Sequence, residues 1–321
     1  MFSRGSMRRC GAGAAAVLVA ALAGCDLTEV TTEPGADVVV VEAVLQARFS
    51  YQTILLHRSL QGHEAAGVPG ARVTVTEASG LEHRFHVVEP GGCFQVNPAY
   101  VASDSLSFHG TCYWSDGEGP WVRPGETYDL RVETADGRVV RGRTHVPADF
   151  TLRSVPEPVE PLAAPECSLA PDSAFTMLWT RSAGAAGYLS AIRITGLREG
   201  LGDVDFFVPE PLELRGVSVS DADTTIVLPT EYGVFERLEF SDELLTAISR
   251  GFPEGTRMLA TVSAADRNWV TSARGGSFNP SGQVRISTVV GDGVGVFGSL
   301  VQRRAIVTVQ RSTAIPRCGV H

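Results

Sequence analysis

The sequence has no lysine: every one of its 27 basic residues is an arginine. That excludes Schiff-base and lysine-nucleophile chemistry, and a GC-rich coding sequence is the simplest origin of the bias. Other signatures are missing too. There is no C-x-x-C pair to suggest a zinc ribbon or a redox motif. There is no G-x-S-x-G elbow, and no serine or cysteine stands beside a base along the chain. Basic residues run no longer than a pair such as Arg303-Arg304, so this net acidic chain is a poor candidate for nucleic-acid binding. The uncharged apolar run Gly11 to Gly24 is too short for a permanent membrane helix, which needs roughly 20 residues.

That short run is informative in another way. Arg4, Arg8 and Arg9 precede it, giving the basic start and apolar middle of a signal peptide over residues 1–24. Leu22-Ala23-Gly24-Cys25 resembles the bacterial lipobox, which implies cleavage before Cys25 and diacylglycerol on its thiol. The alternative is an ordinary secretory cut nearby that leaves Cys25 a plain thiol. Acyl chains such as palmitate, at about 0.8 kcal/mol per buried methylene, would hold the chain on a membrane. Residues 25–36 are polar and carry Pro34 and Gly35, which suits a lipidated tether. Asp26 leaves the choice of membrane open, with the outer membrane favoured over the inner and the body in the periplasm or at the cell surface.

Without the signal peptide the chain has 24 arginines against 36 acids, a balance of −12. Cys93, Cys112, Cys167 and Cys318 follow Cys25, and an even number in an oxidising compartment reads as two disulfides with three possible pairings. Sequence proximity favours Cys93 with Cys112, leaving Cys167 with Cys318. No metal or cofactor is expected.

From residue 37 the apolar pattern has period two. Tyr128, Leu130 and Val132 alternate with Asp129, Arg131 and Glu133, a strand with one wet face. Asp136-Gly137 tolerates the positive φ of a tight hairpin and turns that strand into the next. Short strands punctuated by Gly, Pro and Asp predict an all-β chain of two immunoglobulin-like or fibronectin III-like β-sandwich domains, at 37–148 and 172–321. Between them, 149–171 holds Pro156, Pro158, Pro161 and Pro165 and reads as a linker. FTMLWT (175–180) and YLSAIRITG (188–196) resemble the B and C strands of such sandwiches, with Trp179 in the core. One helix is expected from Ser241 to about Arg250, capped by Ser241 and stopped by Gly251 and Pro253.

Motifs with chemical potential are few. His63-Glu64-Ala65-Ala66-Gly67 has glycine where a zincin needs its second ligand, and Gly67 to Gly70 reads as a turn. Gly293-Val-Gly295-Val-Phe-Gly298 matches the dinucleotide fingerprint literally but lacks its βαβ setting, so a glycine-rich loop closing a β-domain is expected instead. His83 and His86 fall on opposite faces of a strand and so cannot share a metal. The carboxylates are dispersed along the chain. Tyr113, Trp114, Trp121 and Trp269 sit in loop-like surroundings, the first three beside Cys112. They read either as a stapled ligand-binding edge or as loops packed onto the sandwich.

In order along the chain, the lipobox cysteine, VVVVEAVLQA (38–47), TILLHRSLQG (53–62), GVPGARVTVTEASG (67–80), GETYDLRVETADGRVVRGRTHVP (125–147) and RNWVTSARGGSFNPSGQVRISTVVGDGVGVFGS (267–299) resemble the bacterial lipoproteins of the domain-of-unknown-function 4249 family. GVPGARVTVTE with GGCFQV is also similar to the small sandwich of carboxypeptidase regulatory domains. The first resemblance implies β-domains and envelope association. It also implies an accessory role beside a TonB-dependent outer-membrane receptor, and it carries no catalytic residues. The resulting expectation is a non-enzymatic, lipid-anchored binding or accessory protein meeting a receptor or a glycan. The alternatives are an envelope hydrolase acting on polysaccharide or peptidoglycan, and a structural adhesion or spacer module.

Overall fold

The computed structural model describes residues 37–59, 66–88, 93, 110–115, 117, 119–158, 163–228, 242–274, 287–312 and 314–319. Seven strands come first: β1 (Val39–Gln46), β2 (Thr53–Arg58), β3 (Arg72–Glu77), β4 (Glu82–Val88), β5 (Thr111–Ser115), β6 (Thr127–Glu133) and β7 (Val139–His145). The second half adds β8 (Glu166–Leu169), β9 (Phe175–Leu178), β10 (Gly187–Thr195), α1 (Leu197–Leu201), β11 (Leu212–Val217), β12 (Thr225–Leu228), α2 (Asp242–Ile248), β13 (Arg257–Ala265), α3 (Arg267–Arg274), β14 (Val289–Gly291) and β15 (Gly293–Val309). The chain is all-β, as its period-two pattern requires. In β6, Tyr128, Leu130 and Val132 are buried while the residues between them face out. Gly137, at φ +87°, lets the Asp136-Gly137 turn close the β6–β7 hairpin. The expected helix is present as α2, with Ser241 outside the described residues.

Hydrogen bonding joins thirteen strands into one sheet, in the order β11-β10-β13-β15-β1-β2-β5-β4-β3-β6-β7-β14, with β8 branching onto β15; β9 and β12 form a separate pair. Alternate residues of the strands face a shared interior: Val41, Leu45, Ile54, Val75, Leu130 and Val140 from the first half, and Phe175, Ile192, Met258 and Val307 from the second, belong to one contiguous core. Three buried tyrosines tie loops to strands through their hydroxyls. Tyr113 Oη accepts from Ala71 N–H and donates to Val68 O, Tyr128 Oη accepts from Arg123 N–H and donates to Trp121 O, and Tyr188 Oη accepts from Ser182 N–H.

The halves are sewn together by β15. Its residues Gly293–Leu300 pair in parallel with all of β1, and Leu300–Thr308 pair antiparallel with β13. At about 3.3 Å per residue, this 17-residue strand runs roughly 55 Å. The fingerprint glycines therefore lie in a strand and not in the expected loop. Gly295 sits at φ +131°, and a Cβ there would meet Val41 O at 2.0 Å. A Cβ on Gly298 would meet Trp269 N at 3.0 Å, so its absence lets α3 lie directly on the strand. Glycine is required here for close backbone approach, the same property that phosphate loops use for a different end.

The described parts of 149–171 pack against both halves. From Gly35 onward the chain forms one compact unit. Phe150, Ser154 and Val155 are buried, Arg153 N–H donates to Leu178 O, and Glu166–Leu169 is strand β8 on β15. Pro156, Pro158 and Pro165 lie between these packed stretches, and β14 and the start of β15 complete the sheet of the first half. Trp179 is in the core, as expected.

Candidate functional site

Cys25, the expected lipidation residue, lies outside the described residues, as do His63 and Glu64. The four later cysteines are all described and form two disulfides, Cys93–Cys112 and Cys167–Cys318. The first joins Leu55, with Val88 and Trp114 packed around it, on the outer side of the β2–β5–β4 sheet. The second fastens the C-terminal segment to β8, where Ser168 N–H donates to Pro316 O and Cys318 N–H to Ser168 O.

The aromatic residues separate. Tyr113 and Trp114 are in strand β5, where successive side chains point to opposite faces. Tyr113 is buried in the core. Trp121 is buried as well, stacked on His83 with centroids 3.9 Å apart and edge-on to Tyr128 at 5.6 Å. Trp269 lies in α3 against β15, not in a loop. Tyr113, Trp121 and Trp269 thus pack the interior, and Trp114 alone remains half-exposed. Its companion is Tyr51, 46% exposed with its ring centroid 5.5 Å away; exposed His86 stands opposite Trp114 in register. Tyr51 has no cysteine or glycine-rich signal around it, and only the pairing of β2 with β5 brings it to this corner.

Among the described residues, no three His, Cys, Asp or Glu side chains gather in a way that would hold a metal ion. His83 and His86 do fall on opposite faces of β4, and His83 Nε2 lies 2.8 Å from Glu77. The charged clusters that do exist pin chain segments. Asp37 and Asp136 share Arg58 and Arg138 at 3.0–3.3 Å. The Thr134 hydroxyl and the Arg58 guanidinium hold the Asp136 carboxyl down to about 2. Asp149 is gripped by Arg48 and, at 2.5 Å, by Arg303, whose Nε–H donates to Phe150 O. Burial pushes the Arg303 guanidinium below its usual range, against the pull of Asp149. Burial also opposes charging of His57, but the hydrogen bond and charge of Glu42, with Arg58 O, raise its pKa overall.

Among the described residues the most buried carboxylate is Asp266, at the joint between β13 and α3. Its Oδ1 accepts from Trp269 N–H and Ser299 N–H, and its Oδ2 accepts from the Thr144 hydroxyl at 2.7 Å. It caps α3 and bridges β7 to β15. Burial raises its pKa, although these donors and the Asn268 N–H pull the other way. A carboxyl raised in the folded state stabilises most below its unfolded pKa, and that contribution is lost as pH rises through the folded value. Stability should therefore show a falling component from about pH 4 upward. Asp266→Asn keeps an oxygen for both N–H groups and should remove that component in urea titrations across pH, whereas Asp266→Ala should remove it as well and lose the capping bonds, costing about 2–3 kcal/mol at low pH and less as pH rises. An unchanged pH profile in the asparagine variant would assign the slope to other groups.

No family model matches the chain, and no curated protein matches it. Among solved structures, it is similar to a DUF4785 family protein from Legionella pneumophila at 9% identity and a TM-score of 0.18, covering 70% of this chain and 51% of that one. It is also similar to the two tandem V-type regions of VCBP3, a v-region-containing chitin binding protein, at 10% identity and a TM-score of 0.17, covering 85% of this chain and all of that one. The chain thus spans about half the length of the first of these. Likeness at this level assigns neither family nor activity.

Proposed function

We propose that this chain is a lipid-anchored, non-enzymatic protein of the cell envelope, acting as a binding or accessory subunit beside an outer-membrane nutrient receptor of the TonB-dependent type. The observation that carries the reading is the coupling of a lipobox at Leu22 to Cys25 with a body closed by two disulfides. Such bonds persist in oxidising compartments outside the cytoplasm, which is where a lipobox would deliver the body. The resemblance to the domain-of-unknown-function 4249 lipoproteins supplies the receptor. The Tyr51–Trp114 corner, a ring pair with Tyr51 exposed, offers an aromatic surface for a glycan or a receptor loop.

The test begins with radioactive palmitate. Wild-type chain should be labelled and sediment with membranes, while Cys25→Ala should lose the label and become soluble after extraction without detergent. Affinity capture from detergent-solubilised membranes should then recover an outer-membrane receptor. Labelling without a specific companion would leave the anchor standing and remove the accessory role.

A further inference from the structure

Cross-strand register lines up arginines on the solvent side of one sheet. Arg84 on β4 stands opposite Thr74 on β3, Thr74 opposite Arg131 on β6, and Arg131 opposite Arg141 on β7, with exposed Val290 on β14 at the end of the row. With neighbouring strands about 4.8 Å apart, the row from Arg84 to Arg141 spans about 15 Å. All three arginines are exposed, because the residues alternating with them, such as Val73, Leu130 and Val140, fill the core. Arg72, 80% exposed at the side-chain level, and Arg143 flank the row.

Three acids on this face, Glu82, Asp129 and Glu133, answer five arginines. Asp129 is taken up by Arg143 and Glu133 by Arg131. Arg84 and Arg141 have no carboxylate within 4 Å among the described residues. The face is net positive in a mature chain of balance −12, and all of its cations are guanidinium forks that match phosphate oxygens in pairs.

Asp37, the first residue after the tether, is fixed beside β7: Arg138 holds its carboxylate at 3.2 Å and Arg58 at 3.1 Å. Eleven residues lie between Cys25 and Asp37, so even fully extended the link spans at most about 43 Å. A lipid on Cys25 would therefore keep the bilayer within that distance of Asp37, at the start of β7.

We propose that the β4–β3–β6–β7 face docks on the anionic surface of the membrane that holds the acylated Cys25, with Arg84, Arg131 and Arg141 taking headgroup phosphates. This rests on the anchoring proposed above. A tether supplies attachment, and a basic patch adds orientation, laying the first half of the body against the lipid and leaving the second half available to a partner.

The experiment uses the mature chain carrying Cys25→Ser, so that no acyl chain contributes, with phosphatidylcholine vesicles made with and without phosphatidylglycerol. The protein should sediment only with the anionic vesicles, and salt should weaken the association. Each arginine near an anionic surface contributes about five-fold, so Arg84→Gln/Arg131→Gln/Arg141→Gln should lower partitioning on the order of 100-fold. Arg193→Gln/Arg257→Gln, on the exposed side of β10 and β13, should leave it unchanged. Equal sedimentation with neutral vesicles, or an unchanged triple variant, would overturn the proposal. So would release from the vesicles by a soluble acidic polysaccharide that binds the same arginines more tightly. Palmitate labelling of the wild type reads the anchor separately, so failure of the anchor and failure of the face give different results.

Discussion

Gly295→Ala is expected to destabilise the protein by on the order of 3 kcal/mol or more, a large share of a typical folding free energy. Two independent reasons converge on this position. Its φ of +131° lies where residues other than glycine are strained by about 1–3 kcal/mol. A methyl group there would also stand 2.0 Å from Val41 O and 2.8 Å from Val41 N. Neither atom can move aside, because Val41 is fully buried in β1 and held in register with Gly295. Gly80 separates the two causes. It has φ +89° with nothing within 4 Å of an added Cβ, so Gly80→Ala carries the conformational term alone, about 1 kcal/mol. Urea denaturation of the two variants, followed by tryptophan fluorescence, should show the Gly295 variant losing at least twice as much. If the losses are equal, β1 and β15 approach less closely than described.

The difference between these glycines shows where sequence reading stops. Local features were legible: the alternation in β6, the Asp136-Gly137 hairpin, the helix at 242–248 and the turn before Gly70 all follow from neighbouring residues. The pairing of Cys93 with Cys112 followed from proximity, and that of Cys167 with Cys318 by what remained. What failed were readings that depend on a distant strand. The parallel register of residues 39–46 with 293–300 has no local signature, so Gly295 and Gly298 read as a loop. The aromatics left two readings open for a related reason. Tryptophan serves equally in a core or on a rim, and the polar, glycine-rich text around Trp121 conceals that His83 and Tyr128 enclose it. The arginine row was hidden although each arginine sat on a wet face, because only the β3–β6–β7 pairing makes scattered charges into one surface.

Removing the Cys167–Cys318 bond by a double alanine substitution is expected to lower stability more than removing Cys93–Cys112. The two bonds span 151 and 19 residues. In the chain-entropy treatment such loops correspond to about 5 and about 3 kcal/mol, most of it arising in the unfolded chain. The native contacts around the longer bond give the folded state means to survive its loss. Cys318 N–H still donates to Ser168 O, Gly319 N–H to Ser154 O and Ser168 N–H to Pro316 O, while β8 keeps its pairing with β15. The variant should therefore fold with unchanged circular dichroism and a lower urea midpoint, and the C-terminal segment should become the first site of proteolysis. The Cys93→Ala/Cys112→Ala variant should lose less and retain a protected C-terminus. If the shorter bond proves the costlier, native packing around Leu55, Val88 and Trp114, not loop closure, dominates its contribution. That would make the outer side of β2–β5–β4 the part of the body most dependent on an oxidising compartment.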